Sequence, residues 1–253
     1  MYLSDSGGHA NLWVARTDGS GLRQITSQRD LTVAVGIPLW SPAGNGIAFR
    51  LTRGGTSQIN LIQADGSGLR EIVPRGMWAS WSGDGRWLYY VPARDTTYSV
   101  EKIPIDGGPP LVVRRDNAGG PAPSPDGATL YFVTPLKRGG AGWGWEVRKA
   151  RPEDGPSQIL ARIAGSRVPV NPLLVQPTVS PDGKWIALPL IDGVTTNLWA
   201  LPTDGGPMQK LTDFGDWPII IARRVAWSAD SRHIYAAVAE LDADVVLLDG
   251  LLR

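Results

Sequence analysis

SPDGKWIAL, residues 180–188, is a tight turn set between hydrophobic residues. Pro in its second position presets φ near −65°, and Asp-Gly adds a side-chain acceptor and a residue that enters left-handed backbone without steric cost. Nearly the same words return at WSGDGRWL, residues 81–88, and at SPDGATLY, residues 124–131. Looser copies stand at SPAG, residues 41–44, and SADS, residues 228–231. The five serines, Ser41, Ser82, Ser124, Ser180 and Ser228, are 41, 42, 56 and 48 residues apart. A second turn, Asp-Gly, alternates with the first and starts at Asp18, Asp65, Asp106, Asp154, Asp204 and Asp249. Two interleaved turn series with one long period mark an internal repeat.

The segments between the turns read as strands. Behind the Ser-turns run GIAFRL (residues 46–51), WLYYV (87–91) and LYFV (130–133). A second set follows at NLWVA (11–15), INLIQ (59–63) and NLWAL (197–201). Behind the Asp-Gly turns lie short runs at residues 22–26, 69–73, 111–113 and 209–212. No stretch sustains a helical period. One repeat is therefore strand, Ser-turn, strand, loop, strand, Asp-Gly turn, strand, which is the pattern of a propeller blade. A sandwich with regular turns is the structural alternative, but it does not demand two turn types in alternation.

Composition agrees with a turn-dense chain. Its 253 residues include 31 Gly and 21 Pro, and 42% hydrophobic residues are enough for a real core. Twenty-five basic residues balance 24 acidic ones, which argues against a general nucleic-acid binder. No apolar run is long enough to span a membrane, and the first residues lack the basic and apolar regions of a signal peptide. Cysteine is absent, which excludes disulfides, thiol catalysis and Cys-ligated zinc.

The W-S-P-D-G-K-W-I-A and N-L-W-x-x-x-x-D-G-G patterns resemble the WD40-like (PD40) repeat of TolB-type six-bladed propellers, over essentially the whole chain. The resemblance implies an all-β, six-bladed β-propeller with four-stranded antiparallel blades. The expected blades are residues 1–37, 38–77, 78–119, 120–176, 177–222 and 223–253 of a single domain. The first and last blades are expected to be incomplete, since YLS at residues 2–4 matches a second strand and the last blade stops short of a fourth. The expectation is a piece of a longer protein, or a gap filled by another segment. Such propellers serve as partner-binding modules, sensor domains of kinases and regulators, and peptidase accessory domains, and the resemblance points to an extracytoplasmic bacterial setting.

Function is expected on the loops opposite the turns, which vary in length and chemistry. Three stand out. Residues 137–145, KRGGAGWGW, offer their two tryptophans, Trp143 and Trp145, as stacking surfaces or form a long hairpin loop with Trp145 already in the next strand. Residues 162–177, with Arg167 and three prolines, form a rim over the channel or a wrap along a blade edge. Residues 213–218, DFGDWP, carry Trp217 and lead to Arg223 and Arg224. With Arg29, Arg75, Arg114 and Arg115 in comparable connections, these arginines either receive a carboxylate or phosphate or pair with Asp30, Asp116, Asp213 and Asp216.

The case for an enzyme is poor. The two histidines, His9 and His233, have no metal-ligand spacing around them, and no G-x-S-x-G elbow occurs. Glu240, Asp242 and Asp244 alternate without completing a calcium loop. Carboxylate pairs from distant blades remain compatible with glycosidase chemistry. The expected protein is a noncatalytic binding or sensor module without cofactor or metal. Its expected partner is a protein segment or a small anionic molecule. A channel-using hydrolase or lyase, and a structural accessory domain, are the alternatives.

Overall fold

The computed structural model describes residues 2–4, 9–16, 18–93, 97–136, 144–164, 176–221 and 224–240. Among them every helix-or-strand element is a β-strand. The first sheet has three strands, β1 (Tyr2–Ser4), β2 (Asn11–Val14) and β3 (Arg23–Gln24). The second has β4 (Val33–Trp40), β5 (Gly46–Arg53), β6 (Thr56–Gln63) and β7 (Arg70–Val73). The third has β8 (Gly76–Trp81), β9 (Trp87–Pro92), β10 (Val100–Pro104) and β11 (Leu111–Arg114). The fourth has β12 (Gly119–Pro123), β13 (Leu130–Pro135), β14 (Gly144–Ala150) and β15 (Ser157–Ala164). The fifth has β16 (Thr178–Val179), β17 (Trp185–Asp192), β18 (Thr195–Pro202) and β19 (Gln209–Lys210). Last come two two-stranded ladders, β20 (Ile219–Ile221) with β23 (Val238–Glu240), and β21 (Ala226–Trp227) with β22 (Ile234–Tyr235).

Sheets two to five are four-stranded antiparallel meanders of a propeller, so the described residues hold four complete blades rather than six. Among the described residues the first sheet shows no strand inside β1, and the last repeat is split around residues 222–223, which lie outside the described residues along with 241–253. Inner strands also begin away from the expected boundaries: β4 starts at Val33 and β20 at Ile219. In β4 the cause is a bulge. Its register shifts between Gly36 and Leu39, and Ile37 sits at φ 50°, so Gly36-Ile37-Pro38 looks like a connection in sequence but lies inside the strand.

The core lies between sheets, because alternate residues of each strand face opposite neighbours. Ile47 and Phe49 of β5 pack towards the first sheet with Leu12 and Ile25, while Ala48 between them packs towards the third with Leu88 and Tyr90. Tyr89 and Val91 then meet Leu130 and Phe132, and Tyr131 and Val133 meet Ile186, Leu188 and Leu190. Ala187 and Leu198 finish the series against Ile221 and Val225.

The repeated serine explains the repeated turn. Its Oγ donates to the Asp two residues on, at 2.5 Å in each case, at Ser82–Asp84, Ser124–Asp126, Ser180–Asp182 and Ser228–Asp230. The same Oγ accepts the backbone N–H five residues on, at 2.9–3.0 Å, from Trp87, Thr129, Trp185 and His233. The first copy has Ala43 where the others have Asp, and Asn45 Oδ1 takes the hydroxyl instead at 2.9 Å. Successive turns touch. Gly85 lies against Pro42, a Cβ on Gly83 would sit 2.0 Å from the Pro125 carbonyl oxygen, and the Asp182 N–H donates to Ser231 Oγ at 3.0 Å.

Candidate functional site

Arg224 stands four residues before Ser228, two residues ahead of β21. The same place in earlier repeats holds Ile37, Trp78, Gly120 and Gln176. In the first three the backbone has positive φ, 50°, 53° and 53°, and the ladder to the next strand is shifted there. The position is thus a recurrent irregularity of the innermost strands, and in the last repeat it carries a long cation.

The guanidinium of Arg224 reaches the third blade. Nη1 donates to the Ala79 carbonyl at 2.7 Å and Nη2 to Ser80 Oγ at 2.6 Å, across 145 and 144 residues of sequence. Both acceptors are on β8, the innermost strand of its sheet. Neither is charged, no carboxylate among the described residues forms an ion pair with Arg224, and Nε is enclosed without a hydrogen-bond partner. Loss of hydration pulls its pKa down to about 10. One sheet back, Gln176 is 4% exposed and its Nε2 also lacks a partner. The two segments run side by side: Thr178 Oγ1 donates to the Val225 carbonyl at 3.3 Å and Trp227 Nε1 to the Thr178 carbonyl at 2.9 Å.

Among the described residues, the other candidate arginines stand in different surroundings. Arg114 ends β11, the outermost strand of the third blade, because the residue preceding an inner strand in sequence belongs to the far edge of the previous sheet. It is 8% exposed and its fork is used up. Nε and Nη2 hold the Asp116 carboxylate, Nη1 donates to the carbonyls of Glu153 and Gly155, and the cation lies 4.9 Å over the Phe132 ring. Burial works to raise the Asp116 pKa, but the hydrogen bonds and charge of Arg114 outweigh it and hold the carboxyl below its usual range. Arg29, Arg75 and Arg115 are exposed on connections, and Trp217 is 65% exposed. Asp30 holds Thr32, and Asp213 holds Lys210. Trp143, Arg167 and Arg223 lie outside the described residues, as do Asp242 and Asp244. Trp145 is a buried residue of β14, and Arg162 belongs to β15, where it pairs with Glu146 at 3.0 Å.

Two features were not visible in sequence. Arg23 and Arg70, each in a D-G-S-G-L-R stretch, reach the next sheet's Asp-Gly turn: Arg23 donates to the carbonyls of Ala64 and Asp65, Arg70 to that of Ile105. Their shared offset from Asp18 and Asp65 is the signal that reveals them. The second is a cleft of about 420 Å³ between the fourth and fifth blades on the turn side, lined by Tyr131, Lys149, Arg151, Gln158, Thr203 and Asp204. Among the described residues no three His, Cys, Asp or Glu stand together as a metal site.

No family model matches the chain. A curated relative, tricorn protease homolog 1 of Streptomyces coelicolor, is 26% identical over 140 residues, which are 53% of this chain and 13% of that protein. Among solved structures, TolB from Acinetobacter baumannii aligns with a TM-score of 0.61 at 17% identity, over 82% of this chain and 52% of that one. Oligogalacturonate lyase from Vibrio parahaemolyticus aligns with a TM-score of 0.55 at 12% identity, over 79% of this chain and 57% of that one. The chain thus spans about an eighth of the curated relative and about half of the TolB it matches. In fold, this chain is a TolB-like β-propeller.

Proposed function

We propose that the chain is a noncatalytic binding or sensor propeller that recognises a protein segment or a small anionic molecule. The observation that carries this reading is Arg224, a half-buried cation with an enclosed Nε, held by two neutral acceptors with no acid to balance it among the described residues. An uncompensated charge out of water is costly, and such a group recurs where a ligand completes it. Elsewhere, charged groups are already satisfied in structural pairs, such as Arg114 with Asp116 and Lys102 with Glu153.

The same reading includes a ring of six repeats with PD40 character, the first and last incomplete, within a longer bacterial protein in an extracytoplasmic setting. In a six-repeat ring the third and sixth repeats face each other, so Arg224 crosses the channel. The TolB likeness supports a binding role, while the lyase likeness keeps the fold compatible with chemistry.

The test is a panel of small anions and peptides offered to the purified chain, followed by thermal denaturation and by chromatography of the panel. The expected result is saturable stabilisation with every compound recovered unchanged. Conversion of a compound would move the chain to the enzymes, and the absence of any saturable effect would defeat the binding reading.

A further inference from the structure

The binding reading leaves the ligand's chemistry open, and the unsatisfied atoms of Arg224 and of the segment that runs beside it narrow it. Arg224 has five N–H groups and directs two of them to Ala79 and Ser80. Nε–H is among those left over. Gln176, whose segment lies alongside that of Arg224, has an enclosed Nε2 without a partner. Ser80 Oγ accepts from Arg224 and keeps its own hydrogen to give. Every unused group named here is a donor, so the missing partner is an acceptor.

Charge narrows it further. The half-buried guanidinium, its Nε enclosed, carries one positive charge, and a single negative charge neutralises it. A phosphate with a second charge would place that surplus beside the same single cation in a partly enclosed site. A carboxylate matches in charge and in shape, since its two oxygens meet two parallel N–H groups of a guanidinium. We propose that the hub of the propeller, at Arg224 with Gln176 and Ser80, seats a carboxylate monoanion. This rests on the binding reading above and specifies its ligand. The carboxylate comes from a free small acid or from the end of a peptide, and both present the same group to Arg224.

The experiment follows the Arg Nε–H resonances of the ¹⁵N-labelled chain, with the Arg224 signal assigned by its loss in Arg224→Lys. Sodium acetate is titrated against sodium chloride at equal ionic strength, then inorganic phosphate, then a blocked dipeptide acid and its amide. Acetate is expected to shift the Arg224 signal saturably while chloride does not, with phosphate weaker. Arg224→Lys keeps the charge without the fork, and should weaken acetate stabilisation of the melting temperature about tenfold in concentration. Gln176→Leu should weaken it by less. A dipeptide acid that outcompetes acetate, with an inert amide, assigns the carboxylate to a chain terminus; the reverse order assigns it to a free acid. Phosphate that shifts the signal more strongly than acetate overturns the carboxylate and leaves the binding reading standing. If neither anion nor peptide moves the Arg224 signal, the site is wrong, and the thermal panel above decides separately whether the chain binds elsewhere. The wild-type titration carries the result even where a variant folds poorly.

Discussion

The indole N–H of Trp227 donates to the backbone carbonyl of Thr178 at 2.9 Å, and Trp81 repeats the bond to Leu39 at 3.3 Å. Each Trp directly precedes the serine of its turn, and each acceptor stands two residues before the serine of the preceding repeat. The tryptophans therefore pin one inner strand to the next with a directed bond as well as with packing. Trp227→Phe keeps most of the ring and removes the donor. It should cost about 1 kcal/mol, read as a lower urea midpoint with unchanged slope. Hydrogen exchange should quicken at β21 and β22 and stay the same in β5. Equal acceleration in both would mean that Trp227 acts on the whole fold rather than on this seam.

Gly83 makes an argument against repeat averaging. Three of the five turns have Pro at that position, so restoring SPDG looks stabilising. A Cβ there would lie 2.0 Å from the Pro125 carbonyl oxygen and 2.8 Å from its carbon. These are backbone atoms of the next turn and move only with it. Gly83→Ala and Gly83→Pro should each lose about 1–3 kcal/mol, by overpacking. Chemical denaturation of the two variants is the check, and a stabilised Gly83→Pro would show that the second and third Ser-turns can part at little cost.

The Ser-turns also set an acid limit. Asp84 is brought from 3.8 to about 2, first by the Ser82 hydroxyl and then by hydrogen bonds from Arg86. Asp126, Asp182 and Asp230 are lowered too, first of all by the hydroxyls of Ser124, Ser180 and Ser228. A carboxyl with a depressed folded-state pKa contributes stability that is complete above its unfolded value and is lost as pH falls through the folded one. Stability should therefore decline between about pH 4 and pH 2. Asp84→Asn should be less stable at neutral pH and show a shallower decline with acid. Urea midpoints measured across that range decide it, and an unchanged slope would remove Asp84 from the acid response.

The turns were legible because a serine hydroxyl, an aspartate and a following amide must fall at fixed offsets to bond one another. The strands behind them were legible by alternation, as at Ile47, Ala48 and Phe49. The bulges were not. Ile37 is β-branched and Trp78 bulky, and neither side chain favours the positive φ each adopts, so only the register of the ladder exposes them. Arg114 and Arg224 looked alike in sequence, each close to the start of a new repeat. One closes an outer strand and is saturated by Asp116, Glu153 and Gly155, while the other enters an inner strand and reaches Ala79 and Ser80. What separates them is contact over more than a hundred residues, which no local pattern encodes.

Glu153 offers the sharpest stability test at a seam between blades. Its carboxylate accepts from the Tyr89 hydroxyl and pairs with Lys102 Nζ at 2.5 Å, joining the turn of the fourth sheet to two strands of the third. Lys102 in turn lies 4.8 Å over the Trp87 ring and 5.8 Å over that of Tyr89. Both charged side chains are about one-fifth exposed, so water screens the pair only in part. Glu153→Gln keeps an acceptor for Tyr89 and strands the ammonium between two aromatic faces. The expected loss is about 1–3 kcal/mol, below that of a fully buried pair. Lys102→Met fills the same space without charge, and the double variant should recover part of the loss, giving a coupling of about 0.5–2 kcal/mol. Burial, followed by the hydrogen bond to Glu153, pushes the Tyr89 pKa far above its usual value, so this hydroxyl remains a donor throughout the neutral range. The coupling should accordingly be the same at pH 6 and pH 9. Strict additivity in the cycle would show that Lys102 is held by the rings of Trp87 and Tyr89 and not by Glu153.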